Sequence, residues 1–293
     1  TGLATIAVSD TTIDATTLAT RIDSYDTING DGKTTGMTLA SGATINVDAD
    51  EVDHLLADET AGRLTISDQV ITVTNAITVD QANLLGATTT GKLTATIATT
   101  ETVTELATLS ADGGTNDLTV VIRNADATAA TALQLNTINA ATAVAVDASN
   151  VTGLASDTLS NISTLLTAGN DTNQFTANSF SGLTAVTVSD TTIDVSDFIG
   201  AVDQANAATG NTSTVFTIAA GATINGGNEA NFSALLTDET NNQVVISNQN
   251  LTVDSGTISV DNANLLAATT TGKLTASIDV TETVTELATL SAD

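Results

Sequence analysis

The sequence contains no cysteine and no proline in 293 residues. Without cysteine the chain has no disulfide and no thiolate chemistry. Proline cannot donate a backbone hydrogen bond, so its absence fits parallel strands that are paired on both sides. These two absences favour a fold that is held together by backbone ladders and packing.

Basic and aromatic residues are also scarce. Six Lys and Arg residues face 34 Asp and Glu residues, which gives a formal net charge of −28. Phosphate binding needs the opposite field, so nucleic acid is not an expected partner, whereas divalent cations are. Aromatics make up 2% of a chain that is 41% hydrophobic, which indicates a thin, regular core. No apolar run reaches about 18 residues, so we expect no membrane insertion.

A long internal repeat is the main positive feature of the sequence. The segment 80–112 returns as 261–293 with 28 of 33 positions identical, and VSDTTID at 8–14 returns at 188–194. We predict a first repeat unit at 1–180 and a second, truncated unit at 181–293 that is continuous with it. Two separate globular domains of roughly 150 residues are the alternative. The chain resembles an excerpt of a longer repeat protein.

A shorter period lies within the long one. The β-type segments at Leu64, Leu93, Leu118 and Ala143 follow each other at intervals of 29, 25 and 25 residues. Such spacing is typical of coils that stack to bury a shared apolar face. The predicted fold is therefore mainly β: an elongated parallel β-solenoid, or β-helix, with short helices in coils of about 25 to 30 residues nested in a repeat of about 180 residues.

Helical patterns occur between these strands. Thr102 with Glu105, and Thr283 with Glu286, have the spacing of a capping box. The segments 156–168 and 50–57 also carry apolar residues three and four apart. We expect each coil to contain a strand, a turn and often a short helix.

Residues able to perform catalysis are missing from the sequence. The single histidine, His54, has no second histidine or cysteine to work with, and position 234 in the second copy is alanine. Serine and threonine are abundant, but a hydroxyl without an adjacent base is inert. We therefore predict that the protein is not an enzyme.

A calcium site is predicted in the segment 26–33 (DTINGDGK), where Asp26, Asn29 and Asp31 supply oxygen atoms. Calcium prefers oxygen-rich, flexible loops, and calcium is the only cofactor that we expect. The alternative is an Asx/Gly turn without a metal, because the spacing departs from the EF-hand pattern and the second copy has no carboxylate at 206–213.

Thr-x-Thr triplets at 72–74, 94–96 and 102–104 raise a second possibility. Threonines that are stacked in register on a flat face can order water, which would make the chain an ice-binding protein. The alternative is that threonine serves here as a β-former that faces solvent.

The phrases AVAVDASNVTGL at 143–154 and TVSDTTIDVSDF at 187–198 resemble those of large repetitive bacterial cell-surface proteins. These include S-layer proteins and calcium-dependent surface proteins of the RTX type. The resemblance implies an extracellular location, secretion without disulfides, assembly stiffened by calcium, and no catalysis.

These expectations together predict a non-catalytic structural protein of the cell surface or extracellular matrix. It would assemble with copies of itself into a layer, sheath or filament, with cell-surface polysaccharide as a further partner. The alternative is the stalk of a long repetitive adhesin, and the ice-binding protein is a third candidate.

Overall fold

A computed structural model describes residues 5–29, 36–110, 115–210 and 213–291, apart from the side chains of residues 28, 29 and 209. Within these ranges the chain forms 10 α-helices and four small parallel sheets, with 38% helix and 25% strand. The strands are β1 Thr5–Val8, β2 Thr12–Asp14, β3 Gly36–Leu39, β4 Thr44–Asp48, β5 Leu64–Thr65, β6 Val70–Ile77, β7 Leu93–Ile97, β8 Asp117–Thr119, β9 Gly153–Asp157, β10 Ala185–Val188, β11 Thr192–Asp194, β12 Val215–Ile218, β13 Thr223–Gly227, β14 Val244–Val245, β15 Asn250–Val253 and β16 Leu274–Thr275. The helices are α1 Ala15–Asn29, α2 Val52–Thr60, α3 Val79–Thr88, α4 Val103–Leu106, α5 Ala132–Ala140, α6 Leu159–Gly169, α7 Val195–Thr209, α8 Glu229–Thr240, α9 Val260–Thr269 and α10 Val284–Leu287.

The chain divides into two compact units. Unit 1 contains residues 1–123 and 137–147, and unit 2 contains residues 124–136 and 148–293. The junction at 180/181, where the sequence repeat starts again, therefore falls inside unit 2. From β1 to α4 and from β10 to α10, the two units contain the same elements in the same order.

Unit 1 holds two parallel sheets with strand orders β1-β3-β5 and β2-β4-β6-β7-β8. In the larger sheet Ile13, Ile45, Ile71 and Leu93 lie opposite one another on neighbouring strands, and all four are buried. Burying such a side chain stabilises a fold by about 1.5 to 3 kcal/mol. The alternation of apolar and polar residues in each strand places one aliphatic row in the core.

Unit 2 repeats this arrangement with sheets β9-β10-β12-β14 and β11-β13-β15-β16. The equivalent row of unit 2 contains Ile193, Ile224, Leu251 and Leu274. All five phenylalanines of the chain lie in this unit. One of them, Phe216, takes the place of Met37 and meets Phe198 edge to face at 5.7 Å between ring centroids.

Helices make most of the connections between neighbouring parallel strands, and their first residues explain where they begin. The Thr78 side chain accepts a hydrogen bond from the N–H of Gln81, and the Gln81 side chain accepts one from the N–H of Thr78. The predicted capping boxes at Thr102 and Thr283 are confirmed, although the helices that follow them span only four residues each. Parallel pairing requires a long crossover, and a helix is the usual way to build it.

The predicted mainly β parallel solenoid is wrong, because the described residues form a mixed α/β structure in which helix exceeds strand. The strands are short, with two residues in β5, β14 and β16. In contrast, α1 and α7 each run for 15 residues. The threonines of α1 suggest a strand, yet Leu18 and Ile22 lie four apart and are buried, so packing outweighs the local β preference. The parallel direction of the strands is confirmed.

A buried glutamine in unit 1 forms hydrogen bonds with three segments of the chain, near residues 40, 67 and 89. The side chain of Gln69 accepts from the N–H of Ser67 at 2.7 Å and donates to the carbonyl of Ala40 at 3.0 Å. The backbone carbonyl of Gln69 accepts from the hydroxyl of Thr89 at 2.6 Å, and that hydroxyl accepts from the N–H of Gly91. We call Gln69, Thr89 and Gly91 the polar clamp, since each polar group in it has a partner.

Unit 2 contains the same polar clamp in Gln249, Thr270 and Gly272. Gln249 donates to the carbonyl of Ala219 at 3.2 Å, and Thr270 donates to the carbonyl of Gln249 at 2.6 Å. A Cβ atom on Gly272 would lie 2.3 Å from the carbonyl oxygen of Gln249, so only glycine fits. The recurring TTTGK sequence therefore preserves a backbone junction.

Candidate assembly site

The predicted calcium residues do not come together as a site in the described part of the chain. Asp26 lies near the end of α1, where its Oδ2 is 3.7 Å from the guanidinium of Arg63. Asn29 ends that helix, but its side chain is outside the description, and Asp31 lies outside the described residues altogether. Among the described residues no group of three or more His, Asp or Glu side chains could hold a metal ion. Calcium binding stays a prediction.

His54 lies exposed on α2, beside a groove of about 360 Å³ that Asp23 and Asp50 also line. No hydrogen bond or ion pair of this histidine is present among the described contacts. Among the described contacts, the imidazole is thus hydrogen-bonded neither to an orienting carboxylate nor to a nucleophile, the two partners that a catalytic histidine needs.

A groove of about 560 Å³ in unit 2 runs along α6 and α7. Two of its carboxylates accept hydrogen bonds from the backbone: Asp190 accepts from the N–H of Leu159 at 2.6 Å, and Asp194 accepts from the N–H of Ser196 at 2.8 Å. The hydrogen bond from the Ser196 hydroxyl, together with those from the backbone, lowers the pKa of Asp194 below its usual value. Both carboxylates therefore act as caps of helix N-termini.

A buried carboxylate in unit 1 has a cationic partner. The side chain of Asp58 is 1% exposed, and its Oδ1 accepts from Nε of Arg63 at 2.8 Å. The same guanidinium faces Asp26. Arg63 thus supplies the positive charge that a buried carboxylate requires.

Two of the three equivalent positions in unit 2, 180 residues later, carry different residues. Gln243 replaces the arginine and donates to the side chain of Asn206 at 2.7 Å. Asp238 is the equivalent of Asp58, but its Oδ2 is buried without a hydrogen-bond partner among the described residues. Burial, with a smaller contribution from the charge of Asp203, raises the pKa of Asp238 to about 6.

The repeated block exists in two environments, and this difference identifies the candidate site. In unit 1, β8 covers the edge of β7: Asn116 Oδ1 accepts from the N–H of Leu93 at 2.9 Å, and Lys92 pairs with Asp117. Further along, Arg123 donates to the carbonyl of Thr100 at 2.8 Å. The segment 115–123 therefore lies along residues 92–100 of the block.

The strand β16, the counterpart of β7 in unit 2, pairs with β15, and no described strand pairs with its other edge. Val284, Leu287 and Leu290 are 84%, 41% and 40% exposed, whereas their counterparts Val103, Leu106 and Leu109 are 4% exposed or less. We call β16, α10 and Leu290 the C-terminal face. An identical sequence thus buries its apolar side chains in one copy and presents them to solvent in the other.

A second uncovered surface lies at β1 and β2 of unit 1. Ile6 and Val8 are half-buried, but their counterparts Val186 and Val188 are buried because β9 pairs with β10. A groove of about 510 Å³ runs beside α1, and Arg21 is among the residues that line it. We call β1, β2 and this groove the N-terminal face. Open strand edges of this kind are templates for pairing with another chain.

The Thr-x-Thr triplets give little support to an ordered threonine face. Thr72 lies opposite Thr94 on neighbouring strands, but a bulge follows, and Thr96 then faces Ala76. Thr74 lies opposite Asp48. The third triplet caps and enters α4. The triplets therefore align at a single pair of residues.

Comparison with protein-family models, curated proteins and solved structures gives no match. Within the described residues, no helix is both long and apolar enough to span a membrane.

The sequence reasoning identified the repeat but missed both faces. Whether Val284 is covered depends on what lies next to it, and the local sequence is the same in the covered copy. The change from Arg63 to Gln243 was visible in the aligned copies, and it is the signal that could have pointed to Asp238.

Proposed function

We propose that this protein is a non-catalytic structural component of the bacterial cell surface or extracellular matrix. Copies of the chain assemble into a layer, sheath or filament. The observation that carries the proposal is the internal repeat: from β1 to α4 and from β10 to α10, the two units contain the same elements in the same order.

The contacts in two described grooves support this proposal. Asp190 and Asp194 of the α6–α7 groove accept backbone hydrogen bonds, and His54 makes no hydrogen bond or ion pair among the described contacts. The bacterial and extracellular parts of the proposal rest on the resemblance to repetitive surface proteins.

The test is assembly of the purified chain. We expect sedimentation velocity to show species that grow with protein concentration, and negative-stain microscopy to show ordered arrays or fibres. Particles that stay monodisperse at every concentration and adhere to cells or polysaccharide would support the adhesin stalk and refute self-assembly.

A further inference from the structure

The C-terminal turn of α8 carries a carboxylate that the equivalent turn of α2 holds in a different environment. We call residues 238–243 the α8 end turn, and residues 58–63 are its equivalent in unit 1. The N–H of Gln243 donates to the carbonyl of Asp238 at 2.8 Å, and the N–H of Arg63 donates to the carbonyl of Asp58 at 2.9 Å. This backbone hydrogen bond is common to both turns, so their differences lie in the side chains.

In unit 1 the turn contains its own cation. The guanidinium of Arg63 donates to the carboxylate of Asp58 at 2.8 Å and lies 3.7 Å from that of Asp26. A helix dipole places partial negative charge at the C-terminal end of the helix, so a cation is favourable there. Arg63 therefore stabilises both the buried carboxylate and the end of the helix.

The α8 end turn has an amide in place of that cation. The side chain of Gln243 donates to Asn206 at 2.7 Å. The Oδ2 atom of Asp238 is buried and has no hydrogen-bond partner among the described residues. A negative charge on Asp238 is therefore poorly solvated, and it lies at the negative end of the helix dipole.

The described elements that pack against α8 add further negative charge. They are α7, α9, β13 and β14. The charged side chains on these elements and on α8 itself, apart from Asp238, are all acidic: Asp197, Asp203, Glu229, Glu239 and Asp261. Burial, with a smaller contribution from the charge of Asp203, raises the pKa of Asp238 to about 6.

The backbone of the α8 end turn is also less favourable than that of its equivalent. Asn242 has a φ of 58°, in the left-handed region, where unit 1 has Gly62 with a φ of 69°. Glycine adopts this conformation without a steric cost, whereas the Cβ atom of asparagine adds one. The α8 end turn is therefore easier to open than the turn of unit 1.

We propose that the α8 end turn is a pH-sensitive contact, which packs closely while Asp238 is protonated and loosens when Asp238 loses its proton to solvent. Loosening exposes the carboxylate to water, which solvates its charge. The equivalent turn of unit 1 stays closed, because Arg63 neutralises Asp58. One of two like turns in the same chain thus responds to pH, a property that goes beyond the proposed function and does not depend on assembly.

Amide hydrogen exchange at pH 5 and pH 8, corrected for the intrinsic exchange rate at each pH, tests this inference. The pKa of Asp238 lies above that of an exposed aspartate, so the closed turn loses stability as the pH rises through about 6. We expect the protection factors of residues 239–243 to fall about four-fold or more, and those of residues 59–63 to change by less than about two-fold. Both turns are read in the same sample.

Four variants identify the group that is responsible. Asp238→Asn removes the charge and Gln243→Arg supplies the cation of unit 1, so each should abolish the fall in protection. Asp203→Asn and Asp197→Asn form a matched pair on α7. The first removes the charge that acts on Asp238 and should reduce the fall, whereas the second removes a charge without that effect and should leave the fall unchanged.

Two results would overturn the inference: protection of the α8 end turn that is the same at both pH values, or a fall that is as large in Asp238→Asn as in the wild type. Gln243 is buried, so the larger arginine has to fit a packed position, and Asp238→Asn keeps the test valid if Gln243→Arg does not fold. Exchange is read within one chain, so a failed assembly experiment would refute the proposed function and leave this inference standing.

Discussion

Replacing Asp238 with asparagine should stabilise unit 2 at neutral pH. The carboxylate is partly buried, one of its oxygens has no hydrogen-bond partner among the described residues, and its pKa is raised from 3.8 to about 6. A shift of about two pKa units corresponds to about 3 kcal/mol. The side chain is partly exposed, so solvent screening reduces this figure to about 1.5 kcal/mol. The asparagine keeps the shape of the side chain and removes the charge.

The pH dependence has a definite sign. The folded pKa of Asp238 lies above the unfolded value, so protonation favours the folded state. Its stabilising effect is fully present below about pH 3.8 and is lost as the pH rises through about 6. The advantage of Asp238→Asn should therefore be greatest at pH 7 to 8 and vanish near pH 4.

The two units can be followed separately in one urea titration. Unit 1 contains the only tyrosine, Tyr25, whose fluorescence reports its unfolding. All five phenylalanines belong to unit 2, so fluorine NMR of fluorophenylalanine-labelled protein reports that unit alone. Asp58→Asn is the matched control: it removes the partner of Arg63 and should destabilise unit 1. An Asp238→Asn protein whose unit 2 is no more stable than wild type at pH 8 would refute the reasoning.

Three other outcomes are expected. Arg63→Gln introduces the residue found at the equivalent position of unit 2 and leaves Asp58 buried without its cation. In urea denaturation it should lower the free energy of unfolding of unit 1 by about 3 kcal/mol, and a loss below about 1 kcal/mol would contradict a buried ion pair. Gly272→Ala should destabilise unit 2 by more than about 2 kcal/mol, because its Cβ would collide with the carbonyl of Gln249. Gly200→Ala in α7 is the control: its Cβ meets no atom within 4 Å, so the change should stabilise unit 2 by about 0.5 to 1 kcal/mol. If calcium offsets the −28 charge, EDTA at low salt should lower the melting temperature, and an identical melt with and without EDTA would argue against calcium.

Strand positions were the most predictable part of the fold. The segment LTATI is the strand β7 to the residue, because three of its apolar residues alternate toward the core. In contrast, AVAVD at 143–147 was predicted as a strand and contributes only bridge residues at Val146 and Asp147. Alternation of apolar and polar residues does not by itself produce a strand where the neighbouring backbone forms only some of the hydrogen bonds of a parallel ladder.

The long helices were not predictable from local patterns. In α1, Thr16, Thr17 and Thr20 favour strands or turns when taken singly. The helix forms because Leu18 and Ile22 reach the core and Asp14 accepts from the N–H of Thr17 at its start. Tertiary burial therefore decides the structure of this segment.

Length differences between the two copies fall outside the polar clamp. The copies are offset by 180 residues at Gln69 and Gln249 but by 181 at Asp80 and Asp261, so one residue has been added between β15 and α9. Left-handed residues, Asn75 in one copy and Gly256 in the other, mark this stretch. Because the ladder and the clamp do not depend on its length, it is the natural place to insert a fluorescent label or an affinity tag. A chain tagged there would let the growth of single assemblies be watched while both faces stay unmodified.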